Sequence, residues 1–457
     1  MLERSLLLAA FLCVWSSANC SSQQAQERTL SLAECEQLAL QHHPSVHDAV
    51  RRLDLAEARS DQAAHARYLP SLTLGQVIGP IPDARGSYTS GGALISPDTS
   101  FAFSNLGLFT QVDFELIQPI WTFGKLSSLT TAARFGVEAE RAGHEATTTD
   151  VLVQIRTLFW GLLLGYELLD LVGEMLTEVD NAQSTIQTKL DDGADDVSQT
   201  DLFKIQVFRY EVEKRQREAM REIEIGKATL RTAMGLDESV NFELAPRRLE
   251  QIPLTVDSLD FYVALALDNR PEIAQLRAGI AARSALVRAS TSDYLPQFYV
   301  GAQIQYNRAP GRFDPRNPFV YNPTNFFRPG VVLGMRWNLN LIQTRDIVRT
   351  ARIEQEAIAE QEPILTEGVR LDVRTAYLAL KEAERNILDS RLALRASQNW
   401  LRSETQTFDL GIGEVKDLID AYQTHSTMRS EHLRNIFSFN TALAKLAKAV
   451  GRDLYPN

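Results

Sequence analysis

Over most of the chain, apolar residues recur at three- and four-residue spacing, the period of a helix; at four places this gives way to strict alternation. Two of the four begin at a Tyr-Leu-Pro step. One follows Tyr68-Leu69-Pro70, as SLTLGQVIG. The other follows Tyr294-Leu295-Pro296. There Phe298, Val300, Ala302, Ile304 and Tyr306 fall on one face, and Gln297, Tyr299, Gly301, Gln303 and Gln305 on the other. In Phe109–Trp121, Val112, Phe114 and Leu116 oppose Gln111, Asp113 and Glu115. In Val331–Leu341, Val331, Leu333, Met335, Trp337, Leu339 and Leu341 oppose Gly334, Arg336, Asn338 and Asn340. Strands of about ten residues with one apolar and one polar face suit a wall between lipid and water. They equally suit the half-buried strands of a soluble sandwich.

The pattern is duplicated. LALQHHPSV (Leu38–Val46) matches LALDNRPEI (Leu265–Ile273), and each match leads at its proline into a helix, Pro44–Leu69 or Pro271–Leu295, that ends on Tyr-Leu-Pro. IRTLFWGLL (Ile155–Leu163) matches VRTAYLALK (Val373–Lys381). Breaks follow at Gly193 and Gly413, and the returning helices close on AMGLD (Ala233–Asp237) and AVGRD (Ala449–Asp453). The chain therefore divides into a leader (1–18), a first repeat (19–235), a polar linker (236–257), a second repeat (258–451) and a tail (452–457). Gly124–Leu190 and Thr344–Leu410 read as helices of ~100 Å each. Ser198–Gly235 with Pro44–Leu69, or Asp417–Gly451 with Pro271–Leu295, reach nearly that height end to end. Val151, Ile155, Leu158, Leu162, Leu169, Val172 and Leu176 form one apolar seam, and Ile436, Phe439, Leu443, Leu446 and Val450 another. Pro363 is expected to kink the second long helix.

Charge and cysteine content add limits. Lys+Arg 47 against Asp+Glu 58 leaves a net charge of −11 with no basic stripe, which argues against a nucleic-acid partner. Arg4, the apolar Ser5–Trp15 and the small Ser16-Ser17-Ala18 have the form of a secretory leader. Cys13 lies in it; Cys20 and Cys35 could pair, Cys20 could carry a lipid, or each could be an inert thiol. No later run offers about 18 uninterrupted apolar residues, so entry into a membrane would be as a β-barrel. The Gly-, Pro-, Ser- and Asn-rich segments Pro80–Leu108 and Asn307–Arg328 read as long exposed loops. Trp121, Phe123, Phe319, Tyr321, Phe326 and Phe327 are candidates for bilayer-interface aromatics.

Four strands are too few for a useful barrel; three copies would supply twelve. The two Tyr-Leu-Pro junctions, QPIW (Gln118–Trp121) leading into a long helix, the glycine-containing hairpins and DLIDAY (Asp417–Tyr422) occur in an order that resembles the TolC-like outer-membrane efflux family, over about residues 30–451. The resemblance implies a mainly α fold with a transmembrane β part. That is a long α-helical barrel plus four β-strands per chain, in a homotrimer with a shared 12-stranded β-barrel. It implies a passive channel in the bacterial outer membrane, extending into the periplasm. This would be the exit duct of a tripartite efflux pump or a type I secretion system. A periplasmic adaptor (a membrane fusion protein) and an inner-membrane pump would open its helical tip. No cofactor or metal is expected.

In the family's pattern two Asp residues spaced three apart, matched here by Asp417 and Asp420, form acidic rings at the periplasmic gate. The spacing puts both carboxylates on one helix face. The alternative is that they simply suit a helix N-terminus. Gly193, Asp195, Asp196 and Asp201 mark the first hairpin tip, and Gly413, Glu414 and Lys416 the second, as candidate adaptor contacts. The tips are unequal: Asp201 lies eight positions after Gly193, Asp417 four after Gly413. Asp113, Glu115 and Arg336 are expected to line the barrel lumen. His42, His43 and His47 read as an exposed helix start rather than a metal cluster. No Ser/His/Asp order, Cys/His metal spacing or Gly-rich phosphate loop stands in a suitable setting, so an enzyme is not expected. The competing function is a soluble periplasmic coiled-coil adaptor or scaffold without a pore, which should carry one hairpin and a compact β domain. Drugs, metal ions, lipids and proteins all stay open as cargo.

Overall fold

The computed structural model describes residues 28–82, 86–88, 94–97, 106–193, 197–312, 314, 319 and 322–455. The leader, Cys13, Cys20, Asp195, Asp196 and Tyr321 lie outside the described residues. The chain forms two compact units, each drawn from both repeats: a strand unit of 49–145 and 271–368, and a hairpin unit of the remaining residues.

In the strand unit, α2 (Pro44–Tyr68) stops just before Pro70 and β2 (Ser71–Pro82) starts directly after it. Likewise α6 (Pro271–Thr291) runs through a 3-10 turn at Ser292–Tyr294, and β7 (Gln297–Arg308) starts after Pro296. Proline has no N–H for the helix ladder and pushes the residue before it towards extended backbone, so each Tyr-Leu-Pro step is a stop. With β5 (Leu106–Trp121) and β8 (Phe326–Arg336) these strands form one antiparallel sheet, in the order β2-β5-β7-β8. Residues paired across it share a face. Leu72–Leu116–Ala302–Val331 is an apolar row, whereas Thr73–Glu115–Gln303–Gly330 and Gly75–Asp113–Gln305–Arg328 lie on the opposite face.

Two sequence expectations shift here. β8 begins and ends five residues earlier than Val331–Leu341. The Trp337 indole N–H donates to the Tyr294 carbonyl (3.1 Å), and the Asn340 side chain caps α7 (Leu341–Ala359), so the alternation past Arg336 is a turn and a helix start. The expected loop after Pro80 also carries a small antiparallel pair, β3 (Gly86–Tyr88) with β4 (Leu94–Pro97).

The hairpin unit holds α1 (Leu32–His42), most of the 67-residue α3 (Lys125–Asp191), α4 (Gln199–Ala233), α5 (Leu259–Asn269), most of α8 (Gln361–Asp409) and α9 (Val415–Val450). The duplication recurs in its backbone. α1 ends at His43 with φ −66 and ψ 127, and α5 at Arg270 with φ −69 and ψ 122. α4 and α9 end on left-handed glycines, Gly235 (φ 66) and Gly451 (φ 73). Beyond them Leu236 N–H reaches back to the Arg231 carbonyl and Arg452 N–H to the Ala447 carbonyl, which satisfies otherwise orphaned groups. A Cβ on Gly235 would lie 2.6 Å from His42 Cβ; one on Gly451 would lie 2.8 Å from the Asn269 carbonyl oxygen. The two matched segments of each repeat are thus in contact, and glycine is what lets them approach.

The residues 236–257 are not a free polar linker. β6 (Phe242–Leu244) pairs in parallel with β1 (Arg28–Leu30). Leu249 N–H donates to Glu167, Ile252 N–H donates to Asn440 Oδ1 (3.1 Å), and the Asn440 amide donates to the Glu250 carbonyl (2.9 Å). The core beside them joins Ile155, Phe159, Trp160 and Leu162 of α3 to Leu30, Leu230, Met234 and Phe242. α3 is long and apolar enough by composition to cross a membrane; these four residues are buried in this core. Cys35 is a buried free thiol, pushed up to about 12 by burial first and then by Glu34 and Glu36. The break foreseen at Pro363 falls at Glu360, between α7 and α8, because Pro363 cannot bond the Ala359 carbonyl and its ring crowds it.

Candidate functional site

On the sheet, Asp113, Glu115 and Arg336 fall on the same, polar face, as the alternation indicated. Asp113 Oδ2 accepts from the Gln111 side-chain amide at 2.6 Å, while its other oxygen is buried with no hydrogen-bond partner among the described residues. The Arg336 guanidinium lies 5.8 Å from the centroid of the Tyr299 ring, which spreads over Gly334, where any Cβ would be only 2.4 Å from it. Sequence reading missed Arg328, because the strand was expected to start at Val331. The alternation continues back to Phe326, but Pro329 hides it; proline is tolerated because β8 is an edge strand. The expected interface aromatics split. Phe327 sits on the apolar face opposite Tyr306, Phe326 on the polar face opposite Asn307, and Phe319 is almost wholly exposed. Phe123 (φ 48) and Gly124 (φ 89) turn β5 into α3, and an ion pair from Lys125 to Asp293 (2.6 Å) binds that turn to the 3-10 turn that precedes β7.

At the first tip, α3 ends at Asp191 before the left-handed Gly193 (φ 72). Ser198 and Asp201 form a reciprocal capping box at the start of α4: Asp201 N–H donates to Ser198 Oγ, and Ser198 N–H donates to Asp201 Oδ2 (3.1 Å). Lys204 adds an ion pair at 2.9 Å. Burial alone would raise the Asp201 pKa; the hydrogen bonds from Ser198 and Lys204 outweigh it and hold the carboxyl below its ordinary value.

At the second tip the helix stop is Gly411 (φ 76) rather than Gly413. Ile412 N–H bonds the Thr407 carbonyl, while Gly413 presses on the chain, so that a Cβ there would lie 2.9 Å from Phe408 N. Glu414 occupies the N-cap of α9 but makes no side-chain cap bond. Asp417 therefore holds the same helix position as Asp201 without its capping partner, and Asp417 and Asp420 are both exposed. Lys416 borders a groove of about 430 Å³ between α4 and α9, with Phe203, Lys204, Val207 and Ile419.

Two links between α3 and α9 escaped the sequence reading. Arg429 grips Glu174 with both terminal nitrogens, and Tyr422 Oη donates to Glu178 at 3.2 Å. Burial first, then Glu178, pushes the Tyr422 phenol up to about 12. Nothing in the sequence pairs residues this far apart in the chain.

The sequence model of the outer membrane efflux protein family matches residues 262–452. The likeness to that family by sequence lies in the second repeat. It takes in most of α5, then α6 to α9 with β7 and β8, and so holds Arg328, Arg336, Lys416, Asp417 and Asp420. The fold of the whole chain is that of solved outer-membrane channels. It is similar to the outer-membrane channel OprN, with a TM-score of 0.73 at 15% identity over 93% of this chain and 91% of that one. It is similar to the outer membrane protein VceC of Vibrio cholerae, with a TM-score of 0.73 at 16% identity over 93% and 96%. It is also similar to the open state of the Neisseria gonorrhoeae MtrE outer membrane channel, with a TM-score of 0.73 at 14% identity over 93% and 89%. No curated protein matches the chain by sequence. The likeness to the outer membrane efflux protein family thus lies in one repeat by sequence, and the likeness in fold to solved channels runs through both repeats.

Proposed function

We propose that the protein is a passive exit duct in the bacterial outer membrane, working as a homotrimer. The open sheet carries this reading. One of its faces is apolar and uncovered, with Leu74 71%, Val331 77% and Leu333 75% exposed. Both of its edges, β2 and β8, lack a partner among the described residues. In lipid each unpaired backbone group costs several kcal/mol, so such edges must close on something. β2 and β8 run in opposite directions, so β8 of one copy meets β2 of the next antiparallel and the alternation continues round a ring. Three copies give twelve strands, enough for a water-filled interior.

The hairpins of three copies would form a helical tube in the periplasm. The tube narrows at its tips, where three Asp417 and three Asp420 repel one another and attract cations. A periplasmic adaptor docks on the hairpin tips, around Gly193, Asp195, Asp196 and Asp201 on one and Gly413, Glu414 and Lys416 on the other. An inner-membrane pump supplies the energy, in a tripartite efflux pump or a type I secretion system, and the duct itself does no chemistry. A soluble adaptor is disfavoured, since the chain has two hairpins and one amphipathic open sheet.

The test is single-channel conductance of the detergent-purified protein in planar bilayers, beside Asp417→Ala/Asp420→Ala. Small cation-selective openings that widen in the variant support duct and gate. Conductance unchanged by the variant removes the gate assignment. A protein that stays soluble without detergent and never conducts removes the duct.

A further inference from the structure

Arg328 stands level with Asp113 on the polar face. The sheet register runs Gly75–Asp113–Gln305–Arg328, so the two charges sit two strand spacings apart, ~9.5 Å. Counting round a ring of such sheets, β5 to β8 is two strands, and β8 to the next copy's β5, across its β2, is again two. A ring closed in this way therefore carries one charge on every second strand, acid and base in strict alternation. The Arg328 guanidinium lies 4.1 Å from the centroid of the Phe326 ring, two residues along on the same face. That contact packs the guanidinium against an aromatic face on the polar side of the sheet. The remaining charged pair on this face, Glu115 and Arg336, is also balanced.

We infer that Arg328 is a selectivity-setting residue of the strand lumen, offsetting Asp113 so that this part of the duct favours neither cations nor anions. The inference rests on the duct reading above and adds to it a residue and a role. Its consequence is a lumen that accepts cargo of either charge or of both, with sorting by charge left to the helical tip. An unopposed acidic ring, in contrast, would concentrate cations and repel anionic cargo along the whole barrel.

The experiment is the K⁺/Cl⁻ permeability ratio, from reversal potentials across a KCl gradient, for wild type, Arg328→Gln, Asp113→Asn and the double variant. Arg328→Gln should raise the K⁺/Cl⁻ ratio roughly fourfold per copy, about twofold from each ion, as expected for a unit charge ~10 Å from the permeating ion in water. Asp113→Asn should move the ratio the other way, and the double variant should return close to wild type. Conducting single variants with the wild-type ratio would overturn the inference and leave the duct standing. A wild type that does not conduct would overturn the duct itself. Should Arg328→Gln fail to assemble, Arg328→Cys treated with cationic or anionic thiol reagents during recording takes its place, with wild type as the reagent control. A lumen position restores or inverts the ratio according to the reagent's sign; a position that never reacts from the aqueous side sinks the assignment.

Discussion

Asp201 and Asp417 occupy equivalent positions in the two repeats, and a single neighbour decides what each carboxylate does. Ser198 draws Asp201 into a capping box; Glu414 leaves Asp417 facing water. Glu414→Ser should therefore build the missing box, stabilising α9 by about 1 kcal/mol while drawing Asp417 away from the proposed gate. A rise in Tm with weaker cation selectivity is the expected result; unchanged selectivity would argue that Asp417 does not face the permeating ion. Gly451→Ala should cost about 1–3 kcal/mol in thermal unfolding, from positive φ and from collision with the Asn269 carbonyl. Arg156 is a third decisive residue. It is almost wholly buried, it bonds Glu36 (2.6 Å) and Asp453 (2.8 Å), and its guanidinium lies over the Tyr455 ring. Arg156→Ala should cost roughly 3 kcal/mol, because it strands Glu36 in a largely buried site.

At the scale of elements, α8 and α9 are joined by a repeated polar rung. Ser390 faces His432 Nδ1 at 2.9 Å and, seven residues on, Ser397 faces His425 Nδ1 at 3.3 Å. Each hydroxyl also donates to a carbonyl of its own helix, Ile387 or Leu394, so each imidazole offers Nδ1–H to the serine oxygen. Burial holds both rings below the ordinary histidine pKa. Arg429 beside His425 and Arg391 beside His432 add to this, and Glu174 opposes it at His425. With the paired-state pKa depressed, the contribution is complete above the ordinary value near ~6.5 and is lost as pH falls from there towards the depressed value. Amide exchange in α9, corrected for its intrinsic pH dependence, should therefore be slower at neutral than at mildly acidic pH. His425→Asn/His432→Asn, which keeps a donor in the Nδ1 place without a titrating ring, should flatten that difference. A difference that persists would assign it to other groups.

On the scale of the whole molecule, neighbouring positions of β8 should behave oppositely. Leu333 lies on the apolar face with Val300, and Val332 on the polar face with Gly301; both are exposed in the single chain. Leu333→Arg should cost about 2–4 kcal/mol in a bilayer and reduce the protein recovered from membranes, whereas Val332→Arg should be tolerated. Equal yields would remove the assignment of faces.

The alternation, the Tyr-Leu-Pro stops and the duplication were legible because each is local: period two sorts side chains, proline breaks a ladder, and copied segments fold alike. That much determined the helices, four strands of the sheet and the polar face bearing Asp113, Glu115 and Arg336. The true span of β8 was not legible, since Pro329 in an edge strand looks like a loop until the sheet order is known. Nor was the packing of residues 236–257 against α3 and α9, or the grip of Arg429 on Glu174. Which glycine ends α8 was likewise decided by tertiary approach, because Gly411 and Gly413 look alike until one is seen at positive φ and the other against Phe408. The sequence by itself set which groups were available and in what local order. Only the tertiary structure set which distant groups meet, because contact between residues hundreds of positions apart depends on how helices and strands pack and on no local spacing.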